Sequence, residues 1–212
     1  STQTPMEAEQ GQPPASQSAA NPPGAHGSTT GVTNPMGGMD VSNLSDPQVA
    51  AVVYAINQGE IASAQLAEAK ASSSEVKRFA QHMAAAHRDM MNKDRALWAR
   101  LQIIPSDNAA SNQLKSDSKS EVSALQGMRG KSFDRDYVDA QVRDHNNALE
   151  LLDRVTPNVK NAEFKAQLGR AQSIVEAHLR EAERLQQTMQ NGSTNMQENG
   201  PDMPPGAGNN MR

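Results

Sequence analysis

Four side chains in this sequence combine the right chemistry with a suggestive spacing: Glu60, His87, His145 and His178. Each falls where the apolar stripe of a helix-forming segment should continue. Glu60 comes four residues after Ile56 and seven before Ala67. His87 follows Val76, Phe79 and Met83 and precedes Met90, a three-four rhythm that marks one helix face. His145 lies between Val138, Gln141 and Ala148, Leu152; His178 lies between Phe164, Leu168, Val175 and Ala182, Leu185. Three imidazoles and one carboxylate facing a common core would suit a divalent transition metal, Zn, Cu, Ni or Fe, and would not suit Ca or Mg. A core network of Glu–His hydrogen bonds without metal is the alternative, because buried polar groups need partners of some kind.

The elements that must position these residues are helices. Asp46-Pro47 predicts a helix start, with Asp46 as the cap and Pro47 in the first helical position. The first helix then spans about 47–70. A capping box from Ser72 to Glu75 opens a second over about 74–101, which Pro105 brings to an end. A shorter amphipathic piece near 110–127 precedes Gly127 and Gly130. Ser132 or Asp134 starts the next long helix, about 132–155, closed by Pro157. The last runs over about 160–190, with Asn191-Gly192 as the stop. Four long amphipathic helices joined pairwise by short connections predict an all-α, up-down four-helix bundle, with an extra short helix in the long second connection.

Depth along the helices decides whether the four side chains meet. Glu60, His87 and His145 each stand about thirteen residues into their helices. His178 stands about eighteen into the last, whereas His145 is ten from the end of its own. That pair misses by a turn or more unless the last helix begins late or its loop is tilted.

Other polar residues receive structural readings. His82 is off the stripe, five positions from His87. Asp94 touches the stripe and is read as a rim charge. Asp144, Glu150, Glu176 and Glu181 flank the histidines and are read as solvated, with room for one to orient a liganding ring. Tyr54 and Tyr137 should seek hydrogen-bond partners if buried. The methionines at Met36, Met39, Met189, Met196, Met203 and Met211 cluster in or near the ends, where soft thioethers suit Cu(I) but tail composition explains them as well.

Composition narrows the function classes. Only 3% of the residues are aromatic, the formal charge is −4, and no block of Lys or Arg stands out, so phosphate-driven nucleic-acid binding is disfavoured. There is no cysteine, which removes disulfides, thiolate metal sites and cysteine catalysis. No apolar run approaches a membrane span. STQTPMEAEQ lacks the character of a signal peptide, and the initial Ser favours a processed chain over a cytosolic one. Residues 1–45, with His26, and 191–212 are rich in Pro, Gly, Ser, Gln and Asn and are expected to be disordered arms around a folded domain at 46–190. No nucleophile elbow, phosphate loop or zinc-protease motif occurs. Ferritin-type di-iron sites need two Glu-x-x-His motifs, and positions 84 and 175 are Ala and Val.

From Asp46 to Met189 the chain resembles the bacterial domain-of-unknown-function family 4142. The resemblance rests on NQGEIASAQLA around Glu60, FAQHMAAAHRDM around His87, FDRDYVDAQVRDHNNAL through His145, and VEAHLREAERL around His178. It implies a ferritin-like helical bundle and a secreted, periplasmic or outer-membrane location, without an established activity. Members commonly carry an acidic residue before the second-helix histidine; here it is Ala86, which removes a carboxylate from that place. The expectation from the sequence is an envelope protein holding one transition-metal ion through Glu60, His87, His145 and His178, for sequestration or stress response. The alternatives are a non-catalytic structural or interaction module and, less favoured, a metal-dependent hydrolase or oxidase.

Overall fold

A computed structural model describes residues 39–198, with side chains through residue 192. His26 and the methionines at Met36, Met203 and Met211 lie outside the described residues, as do the arms up to residue 38 and from residue 199. Five helices follow one another: α1 (Asp46–Lys70), α2 (Ser74–Leu101), α3 (Ala109–Gln126), α4 (Gly130–Val155) and α5 (Ala162–Glu198), with one 3-10 turn at Thr156–Asn158. No strand occurs among the described residues, and no helix there is long and apolar enough to cross a membrane. The chain is an all-α helical bundle.

Helix α1 packs against α2, and α4 packs against α5, so the short connections make two hairpins; α3 lies along α1. The direction of α3 follows from its ends. Ser106 N–H donates to the Pro47 carbonyl and Asn108 Nδ2 to the Gln48 carbonyl, near the start of α1. At its far end the Lys70 ammonium donates to the Leu125 and Gln126 carbonyls, near the end of α1. Helix α3 therefore carries the chain back along α1, and α4 sets off from the same end of the bundle as α2. Each hairpin is up-down within itself, and α2 and α4 run parallel.

The caps differ from the sequence expectation in instructive ways. Ser45 is the cap of α1, with its N–H donating to Gln48 Oε1 at 3.0 Å, and Asp46 is already helical. The Asp46 carboxylate reaches across to accept from Lys160 and Asn161 N–H, both at 2.9 Å, at the threshold of α5. Ser73, not Ser72, caps α2 by accepting from Glu75 and Val76 N–H. Asp134 does not open α4, whose first residue is Gly130 at φ 59. From inside α4 its buried carboxylate accepts from Ser72 N–H at 2.9 Å, Ser73 N–H at 2.8 Å and the Ser72 hydroxyl. A capping carboxylate was legible there, but its helix is a neighbour in space. Helix α5 runs through Asn191-Gly192 to Glu198 and does not stop there.

The core has two apolar halves. One gathers Val49, Val52, Trp98, Leu151, Phe164 and Leu168; the other gathers Ala64, Phe79, Met83, Phe133, Tyr137 and Ala182. Packing extends upstream of α1 to buried Val41, with Met39 and Leu44 against the first half, while Met189 packs on the second. Between the halves the helices present a belt of buried polar side chains: Asn57, Glu60, His87, Asp94, Gln141, His145 and His178.

Candidate metal centre

The belt is where the histidines meet. His87 from α2, His145 from α4 and His178 from α5 are 1%, 1% and 3% exposed, and each offers a ring nitrogen within 4.8 Å of the other two. Ring centroids are 5.7 Å apart for His87–His145, 5.2 Å for His87–His178 and 5.5 Å for His145–His178. Three buried histidines therefore lie close enough to hold a metal ion.

The depth mismatch expected for His178 does not occur, and the register of the second hairpin explains why. Gln172 Nε2 donates to Asp153 Oδ1 and Gln186 Nε2 to Asp139 Oδ1, each pair fourteen residues from the other along both helices. That register sets the end of α4 opposite Arg170, so α5 begins about two turns beyond the end of α4. The 3-10 turn and residues 159–161 run on along the bundle before reversing, and the Asp46 carboxylate holds Lys160 and Asn161 at the reversal. Asn161 Oδ1 then accepts from Glu163 and Phe164 N–H to start α5. The same register sets His145 opposite Arg180, only two residues from His178, about 3 Å of helix rise.

Each ring nitrogen has a definite role. His145 Nδ1 lies 2.9 Å from the Gln141 carbonyl, four residues earlier on α4. A carbonyl only accepts, so Nδ1 carries the proton and Nε2 keeps its lone pair. His87 Nδ1 lies 3.0 Å from Asn57 Oδ1. The Asn57 amide is oriented because its Nδ2 donates to Asp94 Oδ2 at 3.4 Å, and Asp94 Oδ1 accepts from Gln167 Nε2 at 3.0 Å. The relay from Gln167 through Asp94 and Asn57 therefore fixes the proton on His87 Nδ1 and leaves Nε2 free. His87 Nε2, His145 Nε2 and His178 Nδ1 are all enclosed and have no hydrogen-bond partner among the described residues.

The electrostatics keep two of the rings neutral. Burial, reinforced by His145 and His178, holds His87 well below the ordinary imidazole range. Burial, then His145 and His82, brings His178 down to about 4. Neutral imidazole with a free lone pair is the form that binds metal.

Glu60 is buried in the same belt but stands outside the histidine group. Its Oε2 accepts from Gln141 Nε2 at 2.9 Å, and its Oε1 is 4.0 Å from His145 Nδ1, the nitrogen that donates to the Gln141 carbonyl. Burial raises its carboxyl above the usual range, against the opposing pull of His145 and Gln141. Glu60 thus lies behind His145, on the face where the Gln141 carbonyl already holds the ring.

Asp94 corrects the sequence reading: it is 2% exposed and no rim charge. Burial lifts its carboxyl to about 6, with the Gln167 bond working against that rise. Asn57, Gln141 and Gln167 were missed as supporting residues. Asn57 precedes Glu60 by one helical turn and Gln141 precedes His145 by another, and that spacing was the available signal. Among the flanking acids Glu150 is exposed, whereas Asp144 is half-buried and is pushed up to about 9 by burial and by the Glu121 and Glu60 charges. Tyr54 accepts from Arg95 and Gln58, while the buried Tyr137 hydroxyl has no partner among the described residues.

No curated protein and no solved structure matches the chain. A family model described as Domain of unknown function (DUF4142) matches residues 32–185, most of the chain, including His87, His145 and His178. The chain belongs to the DUF4142 family.

Proposed function

We propose that the protein binds one divalent transition-metal ion through His87 Nε2, His145 Nε2 and His178 Nδ1, and that it works by holding the ion, in sequestration or stress defence. The observation that carries this reading is that three buried imidazoles each offer a ring nitrogen within 4.8 Å of the others, while His87 Nε2, His145 Nε2 and His178 Nδ1 are enclosed with no hydrogen-bond partner among the described residues. Leaving buried polar atoms unsatisfied costs about 1–3 kcal/mol each, and a shared cation would remove that cost at all three. Bonds of about 2.0–2.1 Å place tetrahedral nitrogens about 3.4 Å apart, so the triad closes by roughly an ångström on binding. The donor set suits Zn, Cu, Ni or Fe, and a water completes the coordination. The rings are almost fully enclosed, which favours retention of an ion over turnover of a substrate. Glu60 serves in this reading as a support behind His145 and not as a fourth ligand. An envelope location, periplasmic, secreted or outer-membrane, is part of the same proposal and rests on the family resemblance alone.

A second reading keeps the belt metal-free. The Gln167–Asp94–Asn57–His87 chain and the Glu60–Gln141 bond link helices on their own and would fix their register in an interaction module. Melting separates the two. Stripped protein reloaded with zinc at a hundredfold excess over Kd gains about 2.7 kcal/mol if the native state alone binds. The gain disappears in the His87→Ala/His145→Ala double variant. A wild-type protein that melts identically with and without zinc, cobalt, nickel or copper overturns the metal reading and leaves the network.

A further inference from the structure

An enclosed metal centre needs a path by which the ion arrives. We propose that His82 and Glu181 form an outer loading site that takes up the ion at the surface and passes it to the triad through His178. This rests on the metal-binding reading of the triad.

The geometry is a file of imidazoles running inward. His82 and Glu181 are 53% and 41% exposed, with His82 Nδ1 2.9 Å from Glu181 Oε2 across the α2–α5 seam. The His82 ring lies 5.5 Å from the His178 ring, edge to face, and His178 lies 5.2 Å from His87 and 5.5 Å from His145. His178 is also the least enclosed of the three. Five residues separate His82 from His87 on α2, which turns His82 out of the core and toward α5. Three residues separate His178 from Glu181 on α5, which puts them on one face. One carboxylate and one imidazole are a mixed donor pair for a borderline cation. With water filling the other positions, two ligands hold an ion weakly and exchange it fast. Replacing those waters by His178, then by His87 and His145, raises the number of imidazole ligands at each step inward. No electron or covalent bond is exchanged; the His82–Glu181 contact opens, water leaves, and the contact reforms behind the ion. Arg78 and Arg184 line the same surface groove and are offset by Glu75 and Glu181, so the seam does not repel a cation.

A rival route is a cavity of about 270 Å³ lined by Glu60, Glu121 and Asp144. It is richer in acids, but it approaches His145 from the side of Nδ1, which already donates to the Gln141 carbonyl. An ion there would meet no free imidazole lone pair.

The test is stopped-flow loading of metal-free, full-length protein with cobalt(II), read by visible absorbance, together with removal by a chelator. His82→Ala should slow loading and removal about tenfold, the low end of what local charge and ligand steering contribute to association. Glu181→Gln should slow both to a lesser degree. Both variants should still reach one cobalt per chain. Asp89→Asn, which breaks the exposed Lys93–Asp89 pair on α2, should load like wild type. Unchanged rates in the His82 and Glu181 variants overturn the loading site while one bound cobalt leaves the triad standing. Slowing by Glu121→Gln in their place assigns loading to the acidic cavity and also overturns it. Failure of wild type to bind cobalt removes the triad reading and this one with it.

Discussion

The chemistry of the site is decided on the back of each ring. His87 and His145 both donate from Nδ1, to Asn57 and to the Gln141 carbonyl, and this is what leaves their buried Nε2 lone pairs free. Partners behind liganding histidines typically contribute tenfold to a hundredfold to metal affinity. Asp94→Ala should therefore weaken zinc binding by about that factor, read by competition with a coloured chelator, because the Asn57 amide loses the acceptor that orients it. Glu60→Gln should keep one metal per chain, since a glutamine oxygen still accepts from Gln141 and no ligand is lost; metal analysis after reloading checks this, and loss of the ion would restore Glu60 as a ligand. Acid release carries a further expectation. His178 is lowered to about 4 and His87 well below 6.5, in both cases first by burial. Folded-state values below the unfolded 6.5 mean that the unfolded chain takes up protons first as pH falls. The contribution of these two rings to stability is complete above 6.5 and is lost as pH drops toward 4 and below. At pH 5.5 His178 remains neutral and able to bind. Cobalt absorbance followed against pH should thus show half-release below 6.5; half-release at or above 6.5 would mean that His87 and His178 titrate as ordinary imidazoles.

At the scale of elements, the helices were legible and the residues that hold their ends were not. Hydrophobic periodicity fixed the second helix over 74–101 as observed and placed the others to within a few residues at most of their ends, apart from the far end of α5. A stripe of apolar residues is a local property of the chain, so it can be read locally. The acids at the ends act at a distance: Asp46 holds the start of α5 and Asp134 the start of α2. No spacing rule connects residue 134 with residue 73. The depth of His178 was unreadable for the same reason, because it depends on how far residues 156–161 run on before reversing, and that is set by Asp46 from across the bundle. Asp94 was misread because its stripe position could not show that Gln167 and Asn57 would be there to bond it. Asp134→Ala should lower stability by about 2 kcal/mol in urea unfolding, since three donors at the start of α2 lose their acceptor. Metal binding should survive, because that end of α2 lies about four turns from His87. A loss below about 0.5 kcal/mol would place the capping energy in Ser73 alone.

At the scale of the molecule, the polar belt divides the apolar core into two halves and crosses both hairpins. His87 belongs to the first hairpin; His145 and His178 belong to the second. Ordinary packing would fill such a belt with apolar side chains, as it does above and below. An ion bound there ties one hairpin to the other, so occupancy and assembly of the bundle become one equilibrium. The most direct test is a crystal structure of the cobalt- or zinc-loaded protein with anomalous diffraction collected on both sides of the metal edge. The account predicts one strong peak in the belt, bonded at about 2.0–2.1 Å to His87 Nε2, His145 Nε2 and His178 Nδ1, with Glu60 still on Gln141. A belt without a peak, or a peak held elsewhere while the three rings keep their metal-free positions, would contradict it.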